Sequence, residues 1–233
     1  MSVAIITGSS RGLGRALAEG LAERGWSLVI DARGSDALDE VEHRLESKTK
    51  IVAVAGDVAD AEHRRAIVAA AEELGGVDLL VNNASVLGPS PQPPLHNYPL
   101  GILEDVYRIN VLAPLALFQL AAPALAGSRG RVVNITSDAG VEPYEGWGGY
   151  GSSKAALDQI SNVLAVEHPD LRIYWVDPGD MNTQMHQDAY PGEDISDRPA
   201  PEASVPGLLA IIEGDLPSGR YRVADLLRQG SPR

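Results

Sequence analysis

The 233-residue sequence predicts an α/β fold: a doubly wound, mostly parallel sheet with helices on both faces. Three observations carry that expectation. Strand-like and helix-like segments alternate along the whole chain. The strand-like runs are continuously apolar, as burial of a sheet on both faces requires. A turn containing Gly8, Gly12 and Gly14 follows the first strand and opens the first helix, a setting where the backbone needs unusual dihedrals and can approach a ligand closely.

Val3 to Ile6 reads as the first strand, and Leu13, Leu17 and Leu21 recur every fourth residue along one side of a helix that Gly25 stops. Leu28 to Ile30 makes a second strand, Leu38, Val41 and Leu45 mark a second helix, and Ile51 to Ala55 makes a third strand. A further helix ends near Gly75-Gly76, before a fourth strand over Val77 to Val81. The second half continues with a long helix over Ile102 to Leu125, a strand over Arg131 to Ile135, a helix over Ser152 to Glu167 and a strand over Ile173 to Val176. Val205 to Ile212 is a short helix, and Arg220 to Val223 a possible last strand. Nothing in this rhythm divides the chain, so residues 1–233 are expected to form one nucleotide-binding and catalytic domain.

Two stretches are expected to be loops: 87–99, with five prolines, and 184–201, with three more and many acidic residues. Both follow strand ends on the side where such sheets bind ligands, which makes them candidate substrate loops. The stretches around them supply Leu87, Leu95, Tyr98, Trp147, Met181, Met185 and Tyr190 as apolar and aromatic wall material. Trp147 precedes the candidate Tyr150 by three residues; His186 is isolated and reads as a polar lid or surface group.

Nineteen Lys and Arg against 32 Asp and Glu give a formal charge of -13, which argues against a nucleic-acid partner. The absence of cysteine excludes disulfides, thiolate metal sites and a cysteine nucleophile, and no metal is expected. The first residues carry no basic leader and run straight into the glycine turn, and no stretch is read as approaching bilayer-spanning length; a cytoplasmic protein without a membrane partner is the expectation.

Tyr150 and Lys154 are four residues apart at the start of a helix and so share one face. An ammonium beside a phenol favours the phenolate and lets the tyrosine exchange a proton with a carbonyl or alcohol oxygen. Ser137, at the end of the fifth strand, is placed to donate to the same oxygen. Pro114 has no N–H, so a helix running through it leaves the Asn110 carbonyl without its usual partner and free to hold a water.

With these residues in chain order, the sequence resembles the short-chain dehydrogenase/reductase family over essentially its full length, which implies a Rossmann-like sheet and oxidoreduction of a CH-OH/C=O group. Thr7-Gly8-Ser9-Ser10-Arg11-Gly12-Leu13-Gly14 matches the family's cofactor turn, Asp57-Val58 its adenine-side pair, and Asn82-Asn83-Ala84-Ser85 its fourth-strand motif, with serine where glycine is usual. Asn110, Ser137, Tyr150 and Lys154 match its catalytic tetrad, with the typical interval of thirteen between Ser137 and Tyr150. The resemblance implies Tyr150 as acid/base, Ser137 orienting the substrate oxygen, Lys154 lowering the tyrosine pKa and binding the nicotinamide ribose, and Asn110 holding a relay water. Pro178-Gly179 and Thr183 resemble the segment that holds the nicotinamide carboxamide.

Arg11 and Arg33 occupy positions that are basic in many NADP(H)-preferring members, and two arginines suit a 2′-phosphate. NADP(H) is therefore the expected cofactor. Asp31 keeps NAD(H) open, because a carboxylate at the end of the second strand is the usual ribose ligand. Strand alternation turns it away from the direction of Ala32. The expected substrate is a small to medium carbonyl compound, reduced to its secondary alcohol. The alternatives are an NAD-dependent alcohol dehydrogenase and a non-catalytic, cofactor-binding regulatory protein. The resemblance also implies a homodimer or homotetramer.

Overall fold

The computed structural model describes residues 2–230. The ends of the expected 1–233 domain, residue 1 and residues 231–233, lie outside the described residues. Seven parallel strands, β1 (Val3–Ile6), β2 (Ser27–Ala32), β3 (Ile51–Ala55), β4 (Leu79–Asn82), β5 (Arg131–Ile135), β6 (Arg172–Asp177) and β7 (Gly219–Arg222), are ordered β3-β2-β1-β4-β5-β6-β7. The chain winds outward from β1 to β3 and then crosses to β4 on the other side of β1. The crevice above the carboxyl ends of β1 and β4 is the switch point where such sheets bind ligands.

Alternation along each strand decides which layer a side chain joins. Ala4 and Ile6 pack with Leu17 and Leu21 of α1 (Gly12–Ala22), Leu38 and Leu45 of α2 (Ser35–Leu45), and Leu208 and Ile211 of α8 (Val205–Glu213). Val3 and Ile5 pack on the opposite face with Ile67 of α3 (Ala61–Leu74), Leu117 and Leu125 of α5 (Ala113–Ser128), and Leu164 of α6 (Gly148–Glu167). Both faces are covered, which is why the strands read as unbroken apolar runs.

α4 (Leu100–Tyr107) passes through a π-helical turn at Arg108–Leu112 into α5. The Ala113 N–H reaches back to the Arg108 carbonyl, a widened turn of the kind found at functional sites. This corrects one expectation: the continuous helix Leu100–Ser128 is 29 residues and, by length and composition, apolar enough to cross a membrane. The sequence reading stopped it short at both ends. In the fold, Val106, Val111, Leu117, Phe118, Ala121 and Leu125 are buried within the protein, as a core helix requires.

A second correction concerns 184–201, which is not wholly loop. Thr183 caps a short helix α7 (Gln184–Ala189) by accepting from the His186 N–H, and Pro201–Ser204 forms a 3-10 turn. The prolines begin only at Pro191, so they leave Gln184–Ala189 free to coil. Within 87–99, Leu95–Asn97 is a 3-10 turn. The reading of Arg220 to Val223 as the last strand holds apart from Val223, which opens a further helix, α9 (Val223–Gly230).

Candidate active site

The glycine turn is shaped by close backbone approach. Gly8 and Gly12 have φ of 69° and 57°, a region that favours glycine. A Cβ on Gly14 would stand 2.4 Å from the Gly8 carbonyl oxygen, so α1 packs directly against the turn. Asn83 fixes it from β4: its Nδ2 donates to the carbonyls of Thr7 at 2.8 Å and Gly8 at 3.1 Å. Thr7 Oγ1 in turn accepts from the Asn83 and Ala84 N–H groups, each at 3.0 Å. Arg11 precedes α1 without a side-chain cap bond, and the first turn holds no acidic residue. The first N–H groups of α1 therefore face the cleft with positive polarity and no competing carboxylate, which fits a pyrophosphate.

The cleft has a volume of about 730 Å³. It gathers Gly8, Ser10, Arg11, Gly12, Leu13, Arg33, Asp57, Val58, Asn83, Ala84, Ser85, Ser137, Tyr150, Lys154, Pro178, Gly179 and Thr183. Gly14 and Asn110 stand behind this lining. Of the expected wall residues, Leu87, Trp147, Met181, Met185 and Tyr190 line the cleft, as does His186, whereas Leu95 and Tyr98 do not. Leu95 packs over Gly148, and the Tyr98 ring lies over Gly88 and Gly149, so both support the start of α6.

Asp31 shares the sheet face of Val29, toward α3, while Ala32 shares that of Leu28 and Ile30. Its carboxylate accepts from the Gly8 N–H at 3.2 Å and meets His63 Nε2 at 2.5 Å. Burial nonetheless holds Asp31 above the usual carboxylate range, against the pull of His63 and Gly8. Arg33 and Arg11 are exposed, and neither guanidinium has a hydrogen-bond or ion-pair partner among the described residues.

Tyr150 and Lys154 lie in α6, which begins at Gly148, ahead of the expected Ser152. Both are buried, and Lys154 Nζ sits 5.4 Å from the centre of the Tyr150 ring while donating to the Ile135 carbonyl at 2.8 Å. Burial pushes the Lys154 ammonium down to about 8, with Asp158 opposing. The Tyr150 phenol is pushed well above its usual range, chiefly by burial and further by Asp177 and Asp138, with the Ser85 hydroxyl opposing. In the protein alone, then, desolvation outweighs any lowering of Tyr150 by the lysine.

Ser137 caps a 3-10 turn, accepting from the Ala139 N–H at 3.1 Å and donating to Asp138 Oδ1 at 3.0 Å. Asp138 Oδ2 accepts from the Tyr144 hydroxyl at 3.0 Å. Arg220 on β7 reaches across to the Ser137 carbonyl at 3.0 Å while its Nε pairs with Asp158 at 3.0 Å, tying the last strand to the site. Asn110 is held in the π turn by both ends of its carboxamide: Oδ1 accepts from Ser85 Oγ and the Val86 N–H, and Nδ2 donates to the Val86 carbonyl and Ser153 Oγ. Asp177 Oδ1 accepts from the Gly179 N–H at 2.9 Å and so fixes the Pro178-Gly179 turn. Sequence reasoning missed His63, Asp138, Tyr144 and Arg220. The one signal available was the adjacency of Asp138 to Ser137.

A family model described as short chain dehydrogenase matches residues 2–194. The chain belongs to the short-chain dehydrogenase family. Members of this family are oxidoreductases of carbonyl and alcohol groups, and the chain is an oxidoreductase of that general kind. It is similar to sepiapterin reductase of Rattus norvegicus, 33% identical over 200 residues, covering 80% of this chain and 76% of that one. It is 37% identical over 172 residues to the rhamnolipids biosynthesis 3-oxoacyl-[acyl-carrier-protein] reductase of Pseudomonas aeruginosa, covering 71% and 66%. Among solved structures, the KRED1-Pglu enzyme superposes with a TM-score of 0.86 at 28% identity, covering 95% of this chain and all of that one. An alcohol dehydrogenase from the archaeon Thermococcus sibiricus, complexed with 5-hydroxy-NADP, superposes with a TM-score of 0.84 at 26% identity, covering 95% of each chain.

Proposed function

We propose that the protein is an NADP(H)-dependent reductase that converts a small to medium carbonyl compound to its secondary alcohol. The observation that carries this reading is the buried Tyr150, with the Lys154 ammonium over its ring, opening onto a cleft that is also lined by Arg11 and Arg33, two arginines without a partner among the described residues. Arg11 and Arg33 take the 2′-phosphate through charge-assisted bonds. The open N–H groups of α1 take the pyrophosphate. Asp57 and Val58 border the adenine, Asn83 to Ser85 the neighbouring ribose and nicotinamide side, and Pro178, Gly179 and Thr183 the carboxamide. When bound, the nicotinamide supplies the hydride. Lys154 holds its ribose, while Ser137 and Tyr150 direct their hydroxyls at the substrate carbonyl oxygen. Tyr150 gives that oxygen its proton, and a water on the Asn110 carbonyl links Lys154 to solvent for reprotonation.

Ser137 must turn its proton from Asp138 to the substrate, and its Ala139 contact survives that rotation because the oxygen only accepts there. Leu87, Trp147, Met185 and Tyr190 give the substrate side an apolar and aromatic wall. The 87–99 and 184–201 segments supply three of those four residues and are proposed to set substrate choice.

An NAD-dependent alcohol dehydrogenase is supported less well, because Gly8 and His63 already engage both carboxylate oxygens of Asp31. For assembly, we infer a homodimer or homotetramer through the long helices. Leu112, in the π turn, and Leu120 on one, and Val163 and Val166 on the other, are exposed apolar residues. The reading as a whole is tested by following NADPH oxidation with aliphatic, aromatic and cyclic ketones. Turnover that Tyr150→Phe abolishes, with NADPH binding retained, is expected; no turnover across the panel, or turnover within a few-fold in Tyr150→Phe, overturns it.

A further inference from the structure

Ser85 stands where the resembled family usually carries glycine, and its side chain enters the catalytic cluster from the end of β4. Its Oγ donates to Asn110 Oδ1 at 3.1 Å; Ser85 and Tyr150 line the same cleft, and the same hydroxyl lies near enough to lower the proton affinity of Tyr150. A serine hydroxyl has one proton and two lone pairs and rotates freely about its C–O bond. With its proton on Asn110, it offers a lone pair to a protonated Tyr150. We propose that Ser85 is a positioning residue whose hydroxyl turns between Asn110 Oδ1 and the Tyr150 oxygen as the tyrosine gains and loses its proton. No proton passes through it; one hydrogen bond is exchanged for another.

Asn110 is built to permit that exchange. When Ser85 turns away, Oδ1 keeps its bond from the Val86 N–H at 2.9 Å, and Nδ2 stays tied to the Val86 carbonyl at 2.9 Å and Ser153 at 3.0 Å. The anchor neither moves nor is left unpaired. The phenolate, in contrast, needs the donor. Burial disfavours it, and the carboxylates facing it, Asp138 after β5 and Asp177 at the end of β6, disfavour it further. From α6 the Lys154 ammonium lies 5.4 Å from the centre of the ring; α7 adds His186 to the same cleft. Ser85 is the neutral donor that acts at the oxygen itself, and its bond lowers the proton affinity of Tyr150. A glycine there leaves the phenolate without it.

This inference rests on Tyr150 being the acid/base, and the experiment separates the two. The pH dependence of kcat/KM for alcohol oxidation with NADP⁺ is measured for the parent, Ser85→Ala, Ser85→Gly, Ser85→Thr and Tyr150→Phe, with Tm and NADPH affinity for each. Removing a donor to the phenolate raises the tyrosine pKa. The acid limb should therefore move about one unit to higher pH in the Ala and Gly variants, a loss of roughly tenfold below the limb that vanishes on the plateau. Ser85→Thr, which keeps the hydroxyl, should restore the limb. A rate that falls equally at every pH, or an unmoved limb in both variants while Tyr150→Phe is inactive, overturns the role of Ser85 alone. Turnover persisting in Tyr150→Phe overturns both readings.

Discussion

The Asp31 carboxylate lies 2.5 Å from Nε2 of His63, joining the end of β2 to the buried side of the first turn of α3. Gly56 makes room for that ring: a Cβ there would meet His63 Nδ1 at 2.3 Å. Without the imidazole, Asp31 keeps only the Gly8 N–H, and a buried acceptor left short of a partner costs about 1 to 3 kcal/mol. His63→Ala should thus lower Tm by roughly 2 to 10 °C. A thermal melt indistinguishable from the parent would show that the pair contributes nothing to stability.

Arg33 gives the sharper functional test. It and Arg11 border the cleft with no partner among the described residues, and a charge-assisted hydrogen bond is worth about 1.5 to 3 kcal/mol. Arg33→Ala should weaken NADPH binding by about tenfold to a hundredfold at low salt and NADH binding by far less. Fluorescence titration with both cofactors reads this directly. Equal affinities in the parent, or equal losses in the variant, would return Asp31 to the ribose.

Lys154 predicts a pH dependence of stability in the cofactor-free protein. Burial lowers its pKa from 10.5 to about 8, so between those values the unfolded chain holds a proton that the folded chain has released. The unfolded state then binds more protons, and stability rises with pH across that window. The cost of burying the charge is fully present below the folded pKa and is relieved as pH climbs through it. Urea unfolding at about pH 7 and about pH 10 should show Lys154→Met losing up to roughly 3 kcal/mol of this rise relative to the parent. Parallel pH profiles for the two proteins would refute the assignment.

The parts of the site legible in the sequence are those set by local periodicity. A period of two turned Asp31 away from Ala32, and a spacing of four put Tyr150 and Lys154 on one face. His63 was not legible because its partner is 32 residues away and joins it only when α3 packs under β2. Arg220 reaches Ser137 across 83 residues, from the far side of β6. Helix α7 was hidden by a proline cluster that begins just after it, whereas the long helix was legible through Pro114 and Pro123 and was stopped short only at its ends, where Gly101 and Gly127 weaken the helical pattern.

Trp147 is where packing and specificity can be told apart. Its ring meets Tyr150 edge-on, with centroids 5.9 Å apart, and lies 5.9 Å from Tyr190 and 6.3 Å from Tyr144. It also precedes α6 by one residue, so a merely structural role would loosen the helix start and the acid/base together. A wall role acts differently: it lowers affinity in proportion to the aromatic surface the substrate presents. If Trp147 is wall, Trp147→Ala should cut kcat/KM for aromatic ketones about tenfold more than for small aliphatic ones, an edge-to-face pair adding about 0.5 to 1.5 kcal/mol to its buried area. NADPH affinity should largely hold, because Trp147 is not among the residues proposed to hold the cofactor. A uniform loss over all ketones, with Tm falling in step, would assign Trp147 to packing alone.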